Sequence, residues 1–199
     1  NDASLFYNKG KDIVERVGEA TEAALLTFAE KLNIYGVAKS ASDFTTQVSQ
    51  HVKKMYEKEI TLEFSRDRKS MSVVCKHTKT GEQVIFVKGA PENIINRCKF
   101  YRKGNETVPL TDDFRKKIIS ASIVYGTGQN TLRCLGLATV DNPKPIQSSD
   151  LEDSTKFIQY ETDMTFVGLV GMIDPPRSQV SKAIQGCKNA GIRVIVITG

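Results

Sequence analysis

The sequence predicts an α+β fold in which an antiparallel sheet is flanked by helices. Three patterns indicate it: apolar stripes at helical spacing near the amino end, short alternating segments joined by turns through the middle, and nearly continuous apolar runs after residue 165. Because the last two runs enclose one helix, they are typical of a parallel βα unit. We therefore expect one domain over residues 1–173 and a βαβ-like piece of a second domain over residues 174–199.

The amino-terminal half is predicted to contain two helices and three strands. The first helix follows Val17-Gly18, with Thr21 as its N-cap and an apolar face formed by Leu25, Phe28, Ala29 and Leu32. The second helix covers residues 43–56, with Phe44, Val48, Val52 and Met55 on one stripe. The strands are predicted at residues 60–64, 71–76 and 83–88, and the last two form a hairpin around a turn at residues 78–81.

The carboxy-terminal half alternates helices and strands less regularly. Helices are predicted at residues 90–98, 112–125 and 177–189, and strands at residues 107–110, 131–140, 166–172 and 192–197. Residues 141–156 are rich in Asn, Pro, Ser and Asp and are predicted to form a loop.

The composition is that of a soluble globular protein. The chain has 199 residues, of which 40% are hydrophobic and 26% charged. No apolar run approaches the ~18 residues that a membrane-spanning helix needs. The first residues do not resemble a signal peptide, and we expect a piece of a longer protein that lies outside any bilayer.

The net charge of +5 has two interpretations. One is a lysine-rich solvated surface, and the other is a local anion site for phosphates. Nucleic acid is a poorer candidate ligand, because the basic residues are dispersed and no aromatic RNA-binding motif is present.

Cysteines and histidines exclude several kinds of site. The four cysteines are far apart and form no CxxC pair, which disfavours zinc or a disulfide scaffold and favours a reducing compartment. With only His51 and His77 in the chain, a histidine metal site or a catalytic triad is also disfavoured.

A candidate anion pocket combines three strand segments. Side chains two residues apart on a strand share a face, so Phe64, Lys88 and Arg133 can each point into one concavity. A lysine flanked by apolar strand neighbours needs a phosphate or carboxylate partner, and the planar guanidinium groups of Arg66 and Arg133 suit phosphate. An aromatic ring near cations is typical of a site for a nucleotide.

Each of these residues also has an ordinary structural interpretation. Phe64 and Met71 fit a strand core, residues 66–69 fit a charged turn, and Lys88 fits a solvated strand end. Gly126-Thr127-Gly128 fits a helix C-terminus better than a dinucleotide loop, and no GxxxxGK[ST] phosphate loop is present. The residues alone therefore predict a soluble α+β domain with a candidate anion pocket.

The order of several motifs carries a family resemblance. Glu-Phe-Ser-Arg-Asp-Arg-Lys-Ser-Met-Ser (63–72), Phe-Val-Lys-Gly-Ala-Pro-Glu (86–92), Thr-Leu-Arg-Cys-Leu (131–135) and Gly-Met-Ile-Asp-Pro-Pro-Arg (171–177) occur in sequence, with Val-Gly-Glu-Ala-Thr-Glu-Ala-Ala-Leu upstream and Ile-Thr-Gly at the end. Together they resemble the nucleotide-binding domain of P-type ATPases, and most closely the calcium pumps of the sarco/endoplasmic reticulum type.

The resemblance implies a role for each matching residue. Phe64 would stack on adenine, Lys88 would approach the nucleotide, and Glu22 would lie at the adenine end. Arg66 and Arg133 would contact phosphates or ribose. The other expected ATP contacts are Lys69, Met71, Gly89, Ala90, Leu135, Thr198 and Gly199, with Glu19 and Thr21 beside Glu22. Thr198 and Gly199 would meet the terminal phosphate and magnesium.

The sequence also departs from the family's full pattern. It has no Asp-Lys-Thr-Gly-Thr motif, because Lys79-Thr80-Gly81 follows a threonine, so we expect no catalytic residue and no metal ligand in this chain. Hydrolysis, Mg²⁺ binding and Ca²⁺ transport would belong to the parent ATPase, with its phosphorylation and actuator domains and transmembrane helices. We expect the chain at the cytosolic face of the endoplasmic or sarcoplasmic reticulum, as a monomer or a weak dimer through its carboxy-terminal unit.

Two other functions stay open at this point. A basic, non-enzymatic domain that binds acidic partners or nucleic acid would show an affinity that falls steeply with salt. A complete phosphatase-type hydrolase would explain the carboxy-terminal βα pattern, but the sequence has no Asp-x-Asp nucleophile motif.

Overall fold

The structure, a computed structural model, describes residues 2–38, 46–128 and 131–197. In chain order its strands are β1 (Ser4–Asn8), β2 (Ile13–Val17), β3 (Tyr56–Ser65), β4 (Ser70–His77), β5 (Gln83–Gly89), β6 (Cys98–Lys103), β7 (Glu106–Pro109), β8 (Arg133–Asp141) and β9 (Met164–Met172). Its α-helices are α1 (Ala20–Leu32), α2 (Gln47–Met55), α3 (Pro91–Asn96), α4 (Asp112–Tyr125) and α5 (Ser178–Asn189).

A seven-stranded sheet forms the centre of the fold, with strand order β3-β4-β5-β8-β9-β6-β7. All neighbouring strands are antiparallel except β6 and β9, which are parallel. One face of the sheet packs against α3 and α4 around fully buried side chains that include Leu62, Ile85, Ile94, Ile95 and Met164. We call the opposite side of the sheet the open face. The predicted α+β class is confirmed.

A small amino-terminal unit was missed by the sequence analysis. β1 and β2 form an antiparallel hairpin whose Ala3 and Leu5 pack on Ala23 and Leu26 of α1. Residues 1–18 are mostly polar, and a two-stranded hairpin supported by one helix needs few apolar side chains. The alternation of apolar and polar residues that predicts a strand is therefore weak in this part of the sequence.

The predicted face and cap of α1 are wrong. Phe28 and Leu32, which were expected to be buried, are 44% and 54% exposed. The buried face instead contains Glu30, whose carboxylate accepts hydrogen bonds from the backbone N–H groups of Val48 (3.2 Å) and Ser49 (2.9 Å) in the first turn of α2. α1 starts after Glu19 rather than at Thr21. Helical spacing cannot reveal a carboxylate that caps a neighbouring helix.

Several other elements differ from prediction at their ends. α2 begins at Gln47, and Phe44 lies outside the described residues. α3 ends at Asn96, and Cys98, which the prediction places in this helix, is instead the first residue of β6, a strand that the sequence analysis did not predict. Two 3-10 helices form in this region: Ser148–Asp150 lies within the predicted loop, and Ser154–Tyr160 begins in it and continues past its end.

The predicted carboxy-terminal βα unit does not form. β9 pairs with β8 on one edge and β6 on the other, so it belongs to the main sheet. Residues 192–197 form no strand, and Val196 and Ile197 are 82% and 89% exposed. A parallel strand needs a free neighbouring edge for its backbone hydrogen bonds, and both edges of β9 are already paired.

Neither membrane spans nor disulfides are found in the described ranges. No helix there combines the length and the apolar character that crossing a bilayer requires. All four cysteines are free, and burial raises the pKa of the Cys98 thiol to about 12.

The cap that Glu30 provides predicts a measurable loss of stability on truncation. Glu30→Ala leaves two N–H groups of α2 without their acceptor, so the free energy of unfolding should fall by about 1–2 kcal/mol in urea titrations. Glu19→Ala is the matched control, because the Glu19 side chain makes no cap hydrogen bond and its loss should change stability by less than about 0.5 kcal/mol. Equal effects of the two variants would contradict the assignment.

Candidate functional site

An irregularity in β3 brings Phe64 onto the open face. Leu62 pairs with Ser72 and Ser65 pairs with Ser70, so β3 carries one extra residue between these pairs. Simple alternation would put Phe64 beside Leu62 in the core. The extra residue reverses this, and Phe64 is 61% exposed whereas Leu62 is fully buried.

Lys88 lies on the same face, between apolar neighbours. In the sheet register it is opposite Met71 of β4 on one side and Leu137 of β8 on the other. Its Nζ donates a 2.6 Å hydrogen bond to Glu22 Oε1, and this ion pair is largely buried. The anionic partner that the sequence analysis required for Lys88 is thus a carboxylate in this structure.

Glu22 is held from two directions. Its Oε2 accepts a 3.0 Å hydrogen bond from the backbone N–H of Asp2, and Lys58 pairs with the Asp2 side chain at 2.7 Å. Burial raises the pKa of the Glu22 carboxyl, but the hydrogen bonds from Lys88 and Asp2 outweigh it and leave the pKa below its ordinary value. The start of α1 is therefore fixed over Lys88 by a charged carboxylate.

Lys69, Gly89 and Ala90 meet through their backbones. Lys69 has a left-handed conformation (φ 49°), and its carbonyl accepts a 2.9 Å hydrogen bond from the N–H of Ala90. A Cβ on Gly89 would lie 2.4 Å from the same carbonyl oxygen and 2.9 Å from Ser70 Cα. Only glycine allows this close approach between the start of β4 and the end of β5.

The two predicted phosphate ligands lie in different places. β3 ends at Ser65, so Arg66 belongs to an exposed turn and does not continue the strand face that carries Phe64. Arg133, exposed at the start of β8, is on the face of Leu135 and Leu137, about 13 Å along the strand from the row of Lys88. Within the part of the chain that the structure describes, the guanidinium group of Arg133 has no hydrogen-bond or ion-pair partner.

A cavity of about 940 Å³ adjoins these residues. It lies between α1, β2 and the end of β9, and its walls include Thr21, Arg16, Arg133, Met172 and Asp174. Phe64, Met71 and Lys88 do not line it. The structure thus groups the expected residues into an aromatic and cationic area around Lys88 and a cavity beside Arg133 and Thr21.

Three other expected residues add little to this geometry. Glu19 is exposed at the start of α1. Thr198 and Gly199 lie outside the described residues.

A buried charge cluster beneath the site was missed by the sequence analysis. Glu161, which is fully buried, forms ion pairs with Arg68 and Arg97 and accepts hydrogen bonds from Ser70 (2.6 Å) and Ser72 (2.7 Å). The charged stretch 66–69 had been treated as one turn. No sequence signal separates a buried carboxylate from a solvated one, because its burial depends on partners that are distant in sequence.

Comparison with known families identifies the class of this fold and site. Residues 1–179 match the family described as "P-type ATPase, cytoplasmic domain N". The chain belongs to this family and is the nucleotide-binding domain of a P-type ATPase. The family resemblance of the ordered motifs is thereby confirmed at this level.

The ion pair of Glu22 predicts a pH-dependent contribution to stability. Glu22→Gln should lower the free energy of unfolding by about 1 kcal/mol at neutral pH, because Lys88 loses its charged partner. A lowered folded-state pKa means that the unfolded chain takes up the proton first, so the difference between the two proteins should shrink as the pH falls below 4.5. Urea titrations across this range measure it, and a difference that persists in acid would contradict the ion pair.

The close approach at Gly89 predicts a steric cost. Gly89→Ala places a methyl group against the Lys69 carbonyl, so it should destabilise the chain by about 2 kcal/mol or more and displace the turn before β4. Gly168→Ala on β9 is the matched control, because a Cβ there meets no atom within 4 Å. Thermal unfolding of the two variants should separate clearly, and similar melting temperatures would show that the β4–β5 contact tolerates a side chain.

Proposed function

We propose that this chain holds ATP by its adenine for a calcium-transporting P-type ATPase of the sarco/endoplasmic reticulum type. The observation that carries the proposal is the exposed Phe64 ring on the same sheet face as Lys88 and Met71. Phe64 points out of the core, beside the thioether of Met71 and the ammonium group of Lys88. The ring therefore offers a stacking surface with a cation next to it. That combination suits a purine that carries phosphates.

The adenine end is assigned to the area around Phe64 and Glu22. Phe64 supplies the ring face, Met71 and Leu135 apolar walls, and Glu22 a carboxylate that accepts hydrogen bonds. Lys88 is paired with Glu22 in the structure, so a nucleotide would share or reorganise this pair. Lys69, Gly89 and Ala90 complete the wall through their fixed backbone arrangement.

The phosphate end is assigned to the cationic side of the site. Arg133 has an unengaged guanidinium group among the described residues, and Arg66 is exposed beyond the end of β3. Thr198 and Gly199 are proposed to meet the terminal phosphate. No three Asp, Glu, His or Cys side chains converge as metal ligands in the described ranges, so Mg²⁺ would be held by the phosphates and the parent's phosphorylation domain.

The remaining assignments rest on the family resemblance. The parent would transfer the terminal phosphate to an aspartate outside this sequence and move Ca²⁺ into the reticulum lumen. The partners of this chain would be the phosphorylation and actuator domains and the transmembrane helices, with Asp174 at the boundary of the nucleotide-binding domain. A monomer or a weak dimer is the expected state of the isolated chain.

Binding of an ATP analogue tests the adenine site. Isothermal titration with AMP-PNP should give a dissociation constant between high micromolar and millimolar, about −4 to −6 kcal/mol, because stacking acts here without a complete metal and phosphate site. Phe64→Ala should weaken binding beyond detection, since it removes the stacking surface. No binding by the unmodified chain at several millimolar would reject the proposal.

A second exposed phenylalanine provides the matched control. Phe6 on β1 is 42% exposed and lies outside the site, so Phe6→Ala should bind AMP-PNP like the unmodified chain. Equal losses in the two alanine variants would point to a nonspecific effect. A polyanion that competes as well as ATP does, with an affinity that falls steeply with salt, would favour the basic non-enzymatic domain instead.

A further inference from the structure

We propose that the buried carboxylate of Glu161, with Arg68 and Arg97, is a positioning device for the nucleotide site. It holds the irregular end of β3 in the arrangement that turns Phe64 onto the open face. The proposal rests on the proposed function only where it assigns Phe64 to the nucleotide.

Both oxygens of Glu161 are fully engaged. Oε1 pairs with Arg68 and accepts a 2.7 Å hydrogen bond from Ser72, and Oε2 pairs with Arg97 and accepts a 2.6 Å hydrogen bond from Ser70. The donors come from the turn before β4, from β4 itself and from the end of α3. A buried carboxylate with this many donors holds the three segments in one arrangement, because breaking any ion pair would leave a buried charge without its partner.

Arg68 connects this carboxylate to the irregularity in β3. One arm of its guanidinium pairs with Glu161, while Nη2 donates to the Glu63 carbonyl and reaches the Leu62 carbonyl at 3.5 Å. Its Nε lies 3.4 Å from Ser65 Oγ. The register of β3 against β4 shifts between Leu62 and Ser65, and the contacts of Arg68 lie on this same stretch. Its planar guanidinium group therefore holds the extra residue of β3 against the core.

The acidic partner is delivered from a distant part of the chain. Glu161 follows the 3-10 helix Ser154–Tyr160 and is 93 residues from Arg68 in sequence. Tyr160 donates a 2.7 Å hydrogen bond to the Asp150 carboxylate, and the Arg68 guanidinium lies 5.2 Å from the centre of the Phe157 ring. This segment is therefore a fixed support beneath the turn.

Loss of the support has a directional consequence for Phe64. If the extra residue is absorbed, regular pairing places residue 64 opposite Ser70, on the buried face with Leu62. The ring would then turn toward the core and away from Lys88. If the turn after β3 only became more mobile, the Phe64 ring would stay exposed to water, as it is in the structure.

A single tryptophan can report this movement. The chain contains no tryptophan, so Phe64→Trp introduces the only indole, at a position that is exposed in the structure. Arg68→Lys in this background keeps the charge but removes the planar fork. We expect the indole emission to move to shorter wavelength and acrylamide quenching to fall, measured where circular dichroism shows a fully folded chain.

Arg102→Lys is the matched control. Arg102 also forms a partly buried ion pair, with Asp141 at 2.8 Å, and a hydrogen bond to Thr107 at 2.6 Å. Arg102 lies on β6, and its polar partners lie on β7 and β8, away from β3. This variant loses the same chemical group and should leave the emission and the quenching unchanged.

Two further variants grade the effect. Ser72→Ala removes one hydrogen bond to Glu161 and should give a smaller shift of the emission in the same direction. Glu161→Gln should give a larger shift of the emission, provided that this variant folds. If Glu161→Gln does not fold, Arg68→Lys alone tests the positioning role, because Arg68→Lys retains the buried charges.

Nucleotide affinity is measured separately with Phe64 in place. Arg68→Lys should weaken AMP-PNP binding toward the loss expected for Phe64→Ala, because the ring leaves the site, and Arg102→Lys should not change it. An unshifted emission in Arg68→Lys, or an equal shift in Arg102→Lys, would overturn the positioning role. A shifted emission with unchanged affinity would support the positioning role and reject the assignment of Phe64 to ATP.

Discussion

The buried ion cluster of Glu161 with Arg68 and Arg97 is the constraint on which the site geometry depends. Burial lowers the pKa of the Arg68 guanidinium, and the adjacent Glu161 carboxylate opposes that change and favours the charged form. A cluster of this kind contributes little net stability compared with a well-packed apolar core. Removing one of its partners, however, strongly destabilises the fold, because a buried charge is then left unpaired. Its value lies in fixing a single arrangement of the turn that carries Phe64.

The open face of the sheet shows what this arrangement provides. Phe64, Met71 and Lys88 come from three strands, and Glu22 reaches them from α1. On the opposite face, Gly89 permits the backbone contact that keeps β4 and β5 close where both approach the site. The rigid core thus supports a surface on which an exposed ring and a cation stay in place without a ligand, which reduces the entropy lost on binding.

The sequence predicted the class of fold, but not the features that place Phe64 and Lys88 on the open face. Lys88 was correctly expected to need an anionic partner, because that requirement follows from its apolar strand neighbours. Phe64 had two interpretations, since its exposure depends on one extra residue in β3. Glu30 and Glu161 could not be recognised as buried, because their partners are distant in sequence. The strand expected at residues 192–197 failed because β9 has no free edge.

Chemical-shift mapping with an ATP analogue tests the central claim most directly. In amide spectra of the 199-residue chain, the account predicts perturbations that cluster at residues 64–71, 88–90 and 133–135 and at the start of α1, with Arg102 and its neighbours unaffected. The fixed turn should shift without broadening, because the structure already holds it in place. Perturbations spread over the basic surface, or centred away from Phe64 and Lys88, would contradict the account.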